Sequence, residues 1–222
     1  MSYPTVQLFA DFGDPALVLP VAALLLAYFA VRGAWRTAFA WVSALGLCGA
    51  ATVAGKILFE ACGGLLPDLA IRSPSGHVAG AALLYGALAV LAGAQAPRWR
   101  RAAGLALALA LVALIGVSRV MQRAHSAEEV VAGAAIGAAC VAWFAAWSRG
   151  AAVRGFRWMP AVALAAAAVA AIHGARISFE PSILWLANRV HWHVAACRDQ
   201  DPGARVRALD AVPGRAGAGG DG

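Results

Sequence analysis

Residues 77–96 read HVAGAALLYGALAVLAGAQA, twenty positions without an acid, a lysine or an arginine, in which only His77 titrates near neutral pH. Wound as an α-helix, this segment rises about 30 Å, the thickness of the hydrocarbon core of a bilayer. Its apolar residues are distributed all round the helix, so it offers water no polar face. Stretches of the same character occupy 15–31, 37–59, 102–117, 130–147 and 158–175. Each is close to the length of a membrane crossing. The expected fold is therefore all-α, a polytopic membrane helix bundle with about six transmembrane helices. Alanine and glycine are frequent in these runs, which lets helix backbones approach where lipid removes the hydrophobic drive for association.

Composition agrees. Of 222 residues, 62% are hydrophobic and 13% charged, against about 45–50% and about 25% in an ordinary soluble domain. That excludes a soluble globular protein, since too few polar side chains remain to cover a core of this size. The net charge of +7 does not indicate nucleic acid as a partner, because the charges punctuate apolar runs instead of forming a basic stripe. The membrane is the expected partner. One lysine, Lys56, stands among 18 basic residues, and it lies in an apolar segment.

The connections alternate in charge. Arg32 and Arg36, then Arg98, Arg100 and Arg101, then Arg149, Arg154 and Arg157 occupy three loops that contain no acid. Such loops face the cytoplasm. The opposite side carries Asp11, Asp14, Glu60, Asp68, Glu128 and Glu129 with Arg72, Arg119 and Arg123, and is expected to face outward, in a bacterium toward the periplasm of the inner membrane. The first residues lack a basic start and a small-residue cleavage site, so the first helix is expected to be retained. Residues 176–197 mix tryptophan, arginine and histidine with aliphatics and read as an interfacial amphipathic helix, with a poorly formed seventh span as the alternative. His173, His191 and His193 read as interfacial or packed. Residues 198–222 have almost nothing to bury and read as a disordered tail, leaving 1–197 as a single membrane-embedded domain. Cys48 and Cys140 fall within spans and no Cys-x-x-Cys pair exists, so zinc is not expected; Cys62 and Cys197 read as unpaired thiols.

Residues able to bind phosphate or move protons gather at helix ends on the outer side. Lys56 lies toward the end of the second span; Arg72 through His77 open the third; Ser118 and Arg119 close the fourth; His125 and Glu129 open the fifth. In Ser73-Pro74-Ser75-Gly76-His77, proline suits a helix start, serine can cap it, and glycine leaves first-turn amides open to an anion. The segment reads as a phosphate seat or as an ordinary capped helix start. Glu129 follows His125 by four positions, the spacing at which a carboxylate on the same helical face can hold one imidazole nitrogen and leave the other as nucleophile or base. An interfacial salt-bridge cluster of Arg123, Glu128 and Glu129 is the alternative.

Taken together, Lys56, Pro74-Ser75-Gly76-His77 and Ser118-Arg119-x5-His125-x3-Glu129 resemble the type 2 phosphatidic acid phosphatase family of the haloperoxidase-related superfamily. Its pattern is Lys-x6-Arg-Pro, Pro-Ser-Gly-His and Ser-Arg-x5-His-x3-Asp, and the resemblance covers the motif core 56–129. Two positions depart: Gly63-Gly64 stands where the family has Arg-Pro, and Glu129 where it has Asp. Arg72 is placed to supply the missing guanidinium. The resemblance implies that His125 attacks phosphorus and forms a phosphohistidine while Glu129 orients it. It also implies that His77 protonates the leaving group and later activates water. Lys56, Arg72, Ser75, Gly76 and Arg119 would then bind the phosphate. No cofactor and no metal are needed by this scheme. The expected substrate is a lipid phosphate or diphosphate: phosphatidic acid, phosphatidylglycerol phosphate, polyprenyl diphosphate or a lipid A phosphate. Transfer of the phosphoryl group to a lipid or sugar hydroxyl is an alternative, and a nonenzymatic binding or transport relative is another. The sequence sets no oligomeric state.

Overall fold

A computed structural model describes residues 3–62, 73–149 and 180–193. The expected sixth span at 158–175, the tail 198–222, Arg72, the Gly63-Gly64 departure, Asp68, Arg154, Arg157, His173 and Cys197 lie outside the described residues, as do the side chains of Cys62 and His193. Among the described residues the structure is all helix: α1 (Tyr3–Asp11), α2 (Pro15–Val31), α3 (Trp35–Cys62), α4 (Gly76–Gly93), α5 (Arg98–Met121), α6 (Ala127–Ser148) and α7 (Glu180–His193). Five stretches are long and apolar enough to cross a membrane: Thr5–Val31, Trp35–Ala61, Gly76–Gly93, Arg98–Met121 and Ala127–Ser148. The chain is a multi-pass membrane helix bundle.

The first expected span coincides with α2, but a separate nine-residue helix, α1, precedes it. The chain turns between them at Phe12 and Gly13. Asp14 then starts α2, its Oδ1 accepting the Ala16 amide at 2.8 Å, with proline next in the first helical position. Both features satisfy or remove amides that a helix start leaves open. α5 extends past its apolar run to include Arg98, Arg100 and Arg101 at one end and Ser118 and Arg119 at the other. Arginine stems cover apolar surface while their heads reach the interface, so polarity alone does not end the helix.

Aromatic side chains fill the core between α2, α3 and α6. Trp41, Phe29 and Phe144 are fully buried. Trp41 meets Phe144 edge to face, with centroids 5.7 Å apart, and donates its Nε1–H to the Ala22 carbonyl at 2.9 Å. This arrangement buries the indole without orphaning its polar atom. α4 is enclosed by α5 and α6 through small residues, among them Gly137, which lies against Ala82 and the Ala79 carbonyl. Large aliphatics cover the outside: Leu107 is 73% exposed and Val131 67%. In a bundle of this composition such surface faces lipid.

The helix ends sort onto two faces. On one, the Arg36 Nε donates to the Trp147 carbonyl at 3.0 Å, joining the start of α3 to the end of α6. The opposite face collects the α1–α2 turn, the end of α3, the starts of α4 and α6 and the end of α5. α7 packs onto this second face through Ala187 and Val190 against Ala61 and Ile57, and the His191 Nδ1–H donates to the Ala61 carbonyl at 2.7 Å. Fourteen residues rise only about 21 Å, short of a full crossing. Leu184, Trp185 and Leu186 on it are exposed, and His191 is a packing residue.

Candidate active site

Glu129 is the joint of the second face. It is 5% exposed. Its Oε2 accepts the Nδ1–H of His125 at 2.8 Å and the Ser126 amide at 3.1 Å, while its Oε1 accepts the Ser73 amide at 2.9 Å. Ser126 returns the bond, its hydroxyl accepting the Glu129 amide at 3.3 Å. The reciprocal pair is a capping box that starts α6. The same carboxylate therefore begins a helix, fixes a histidine tautomer and anchors the loop before α4. Because Nδ1 carries the proton that Glu129 accepts, the lone pair of His125 lies on Nε2.

The end of α5 sets the distance between Arg119 and His125. The amides of Gln122 and Ala124 donate to the carbonyls of Ser118 and Arg119, each at 3.0 Å. Arg123 between them has φ 54°. This is a left-handed helix stop in which a non-glycine residue accepts a strained backbone. It reverses the chain so that α6 starts beside the place where α5 ends, and it carries His125 in the turn. Arg119 itself donates from Nη1 to the Gln122 Oε1 at 2.9 Å.

Ser75 and Gly76 open α4 against this joint. The Ser75 amide donates to the Glu129 carbonyl at 3.0 Å, so it is not available to an anion. Its hydroxyl makes no capping bond and is buried without a hydrogen-bond partner. An orphaned buried hydroxyl at a helix start, beside first-turn amides that have no intrahelical acceptor, matches a seat for a phosphate oxygen. The approach of α6 is close enough that a Cβ on Gly133 would collide with the Ser75 carbonyl oxygen and sit 3.2 Å from its nitrogen. Gly133→Ala is expected to force α6 away from α4 and destabilise the fold by about 1–3 kcal/mol. Unchanged melting in detergent would refute this account of the contact.

Lys56 lies toward the end of α3, 8% exposed. A Cβ on the preceding Gly55 would stand 2.8 Å from the Pro74 ring, and one on Gly76 3.5 Å from the Thr52 methyl. These contacts set the Lys56 turn of α3 alongside the start of α4. His77, the second residue of α4, has both Arg119 and His125 within electrostatic reach. Its Nε2 stands 3.4 Å from the Oδ2 of Asp14. The structure thus brings Lys56, Ser75, Gly76, His77, Arg119, His125 and Glu129 to one face of the bundle. Ser118, by contrast, turns its hydroxyl onto the Ile115 carbonyl of its own helix at 2.6 Å. Among the described residues, no three His, Cys, Asp or Glu side chains gather to hold a metal ion.

Sequence reasoning missed Asp14, Ser126 and the backbone of Ser73. The Ser126-x-x-Glu129 spacing was a usable signal for the capping box. Asp14 and Ser73 carry none, since neither contact follows from local spacing.

Residues 57–152 match the PAP2 superfamily, a stretch that begins one position after Lys56 and includes every described member of the cluster beyond it. A Klebsiella pneumoniae protein described as an uncharacterized 22.5 kDa protein in the cps region is 34% identical over 139 residues, 62% of this chain and 66% of that relative. The match therefore spans just under two-thirds of the relative's length. No solved structure matches the chain. The histidines, the carboxylate, Arg119 and the Pro-Ser-Gly-His turn, gathered on one face, all lie inside the stretch that is similar to the PAP2 superfamily.

Proposed function

We propose that the chain is an integral membrane phosphatase that hydrolyses a lipid phosphate or diphosphate through a phosphohistidine on His125. The observation that carries this reading is the buried Glu129 carboxylate 2.8 Å from His125 Nδ1, which leaves Nε2 as the nucleophile. The match of residues 57–152 to the PAP2 superfamily supports phosphatase-type activity in general.

In the proposed reaction the Nε2 lone pair forms a bond to phosphorus as the bond from phosphorus to the leaving oxygen breaks. His77 gives that oxygen a proton. A water then attacks the phosphohistidine and gives its proton to His77, the Nε2–P bond breaks, and inorganic phosphate leaves. Glu129 stabilises the positive charge that His125 gains when it is phosphorylated. Lys56, Arg119, the Ser75 hydroxyl and the Gly76 amide meet the charge on the equatorial oxygens. Arg72 is assigned to the same task by its place just before the seat. Cations and amides suffice for this scheme, which uses no metal.

A lipid substrate is supported by the setting, since the cluster lies where helices with lipid-facing flanks reach the membrane border. A headgroup reaches it while the acyl or prenyl chain stays among the spans. The acid-free arginine loops at the opposite helix ends support an outward-facing site, toward the periplasm in a bacterial inner membrane. Purified protein in detergent is expected to release phosphate from at least one of phosphatidic acid, phosphatidylglycerol phosphate, polyprenyl diphosphate and a lipid A phosphate. Release from none of them, with the protein folded, would overturn the lipid phosphatase reading.

A further inference from the structure

We propose that Asp14, outside the stretch matched to the superfamily, is a positioning residue that holds His77 as the proton donor to the leaving group. The inference rests on the phosphatase reading above and adds to it a residue from the amino-terminal turn.

Asp14 is fixed on both sides. One oxygen caps α2 through the Ala16 amide at 2.8 Å, which turns the other toward His77 Nε2 at 3.4 Å. The turn that carries it is pinned to the bundle. Tyr85 donates its hydroxyl to the Phe12 carbonyl at 2.7 Å. Gly13 lies so close that a Cβ there would stand 2.8 Å from the Ile115 Cγ2 and 3.1 Å from the His77 carbonyl oxygen. α1 is tied in turn to the phosphate-binding side: the Gln7 Nε2 donates to Asp11 at 2.8 Å, and the Gln122 Nε2 donates to Gln7 at 3.2 Å while its oxygen accepts from Arg119. A carboxylate held this firmly is a feature of the site, not a loop side chain that happens to lie near it.

The charges around His77 explain why it needs one. Arg119 of α5 lies within electrostatic reach of it, Lys56 of α3 lies at the same end of the bundle, and the carboxylate of α6, Glu129, is committed to His125. A general acid must bear its proton before the leaving group departs, and a carboxylate beside the ring favours the protonated form. Asp14 is the anion that faces His77. With the Nε2–H held by Asp14, the proton free to move is the one on Nδ1; it passes to the leaving oxygen, and neutral imidazole remains against the carboxylate.

Asp14→Asn and Asp14→Ser test this, because both residues cap helices well and neither carries the charge. Initial rates would be measured on an alkyl phosphate lipid, whose leaving oxygen needs a proton, and on p-nitrophenyl phosphate, whose leaving oxygen does not. Both variants are expected to raise the ratio of aryl to alkyl kcat/KM by at least about tenfold. In a His77→Ala background, Asp14→Asn is expected to change that ratio no further, since the carboxylate acts through the ring. A merely structural Asp14 would lower both substrates alike and lower the melting temperature; that result, or an unchanged ratio, overturns the inference while leaving the phosphatase reading intact. Failure of the wild-type protein to hydrolyse either substrate overturns the phosphatase reading, and this inference with it.

Discussion

His125→Ala is expected to lower phosphate release at least about a thousandfold, because the proposed covalent route cannot proceed without its nucleophile. The fold is expected to survive the change. His125 sits in a turn, its one hydrogen bond is to Glu129, and that carboxylate keeps the amides of Ser73 and Ser126 when the ring is gone. Melting in detergent should therefore stay close to wild type while turnover disappears. Denaturing gels after a brief pulse with a labelled substrate give a second reading. Acid-labile label is expected on wild-type protein and none on the alanine variant. Turnover within about tenfold of wild type would exclude His125 as the nucleophile.

The spans were legible because a membrane helix must be apolar along its whole length, and that requirement is written in composition. 130–147 and Ala127–Ser148 differ only by an end turn. Where expectation and structure part, the cause is physical. α3 runs to Cys62 and α5 begins at Arg98, because a helix continues through polar residues as long as their heads reach the interface. α1 was not anticipated, since nine residues containing Gln7 and ending at Asp11 carry neither a span nor a clear period. It is held by tertiary contacts to Gln122 and to the bundle beneath it. Within the site, the residues proposed to do chemistry could be named from type and spacing: Glu129 follows His125 by four positions, and Pro74 to His77 lead into α4. What spacing could not show is how those pieces meet. The grip of Glu129 on the Ser73 amide, the Ser75 amide on the Glu129 carbonyl and the carboxylate of Asp14 on His77 are all long-range. Two of the three involve backbone groups that every residue possesses.

That dependence on one carboxylate makes Glu129 the most informative position after His125. Glu129→Gln keeps length and shape but replaces one acceptor oxygen with an amide donor. Donors from His125, Ser126 and Ser73 face the carboxylate. In the variant, either the Ser73 amide or both the His125 ring and the Ser126 amide must meet N–H groups. If the amide nitrogen faces the ring, His125 is driven to the tautomer that protonates Nε2, and the nucleophile is lost. If it faces Ser73, a buried backbone amide is left unsatisfied and the phosphate seat loosens, at about 1–3 kcal/mol. Either way kcat is expected to fall on the order of a thousandfold, as when the carboxylate behind a catalytic histidine becomes an amide. Glu129→Asp separates the two duties, since the residue found at this position in the resembling pattern keeps the charge but is one methylene shorter. It can hold His125 or reach Ser73, not both at their present distances. The expected result is a smaller loss of roughly tenfold, divided between kcat and KM, with a lower melting temperature as the Ser73 tie weakens. Wild-type kcat in the glutamine variant would show that the tautomer of His125 is fixed by something other than Glu129, and the side chain would then serve only the capping of α6 and the tie to Ser73.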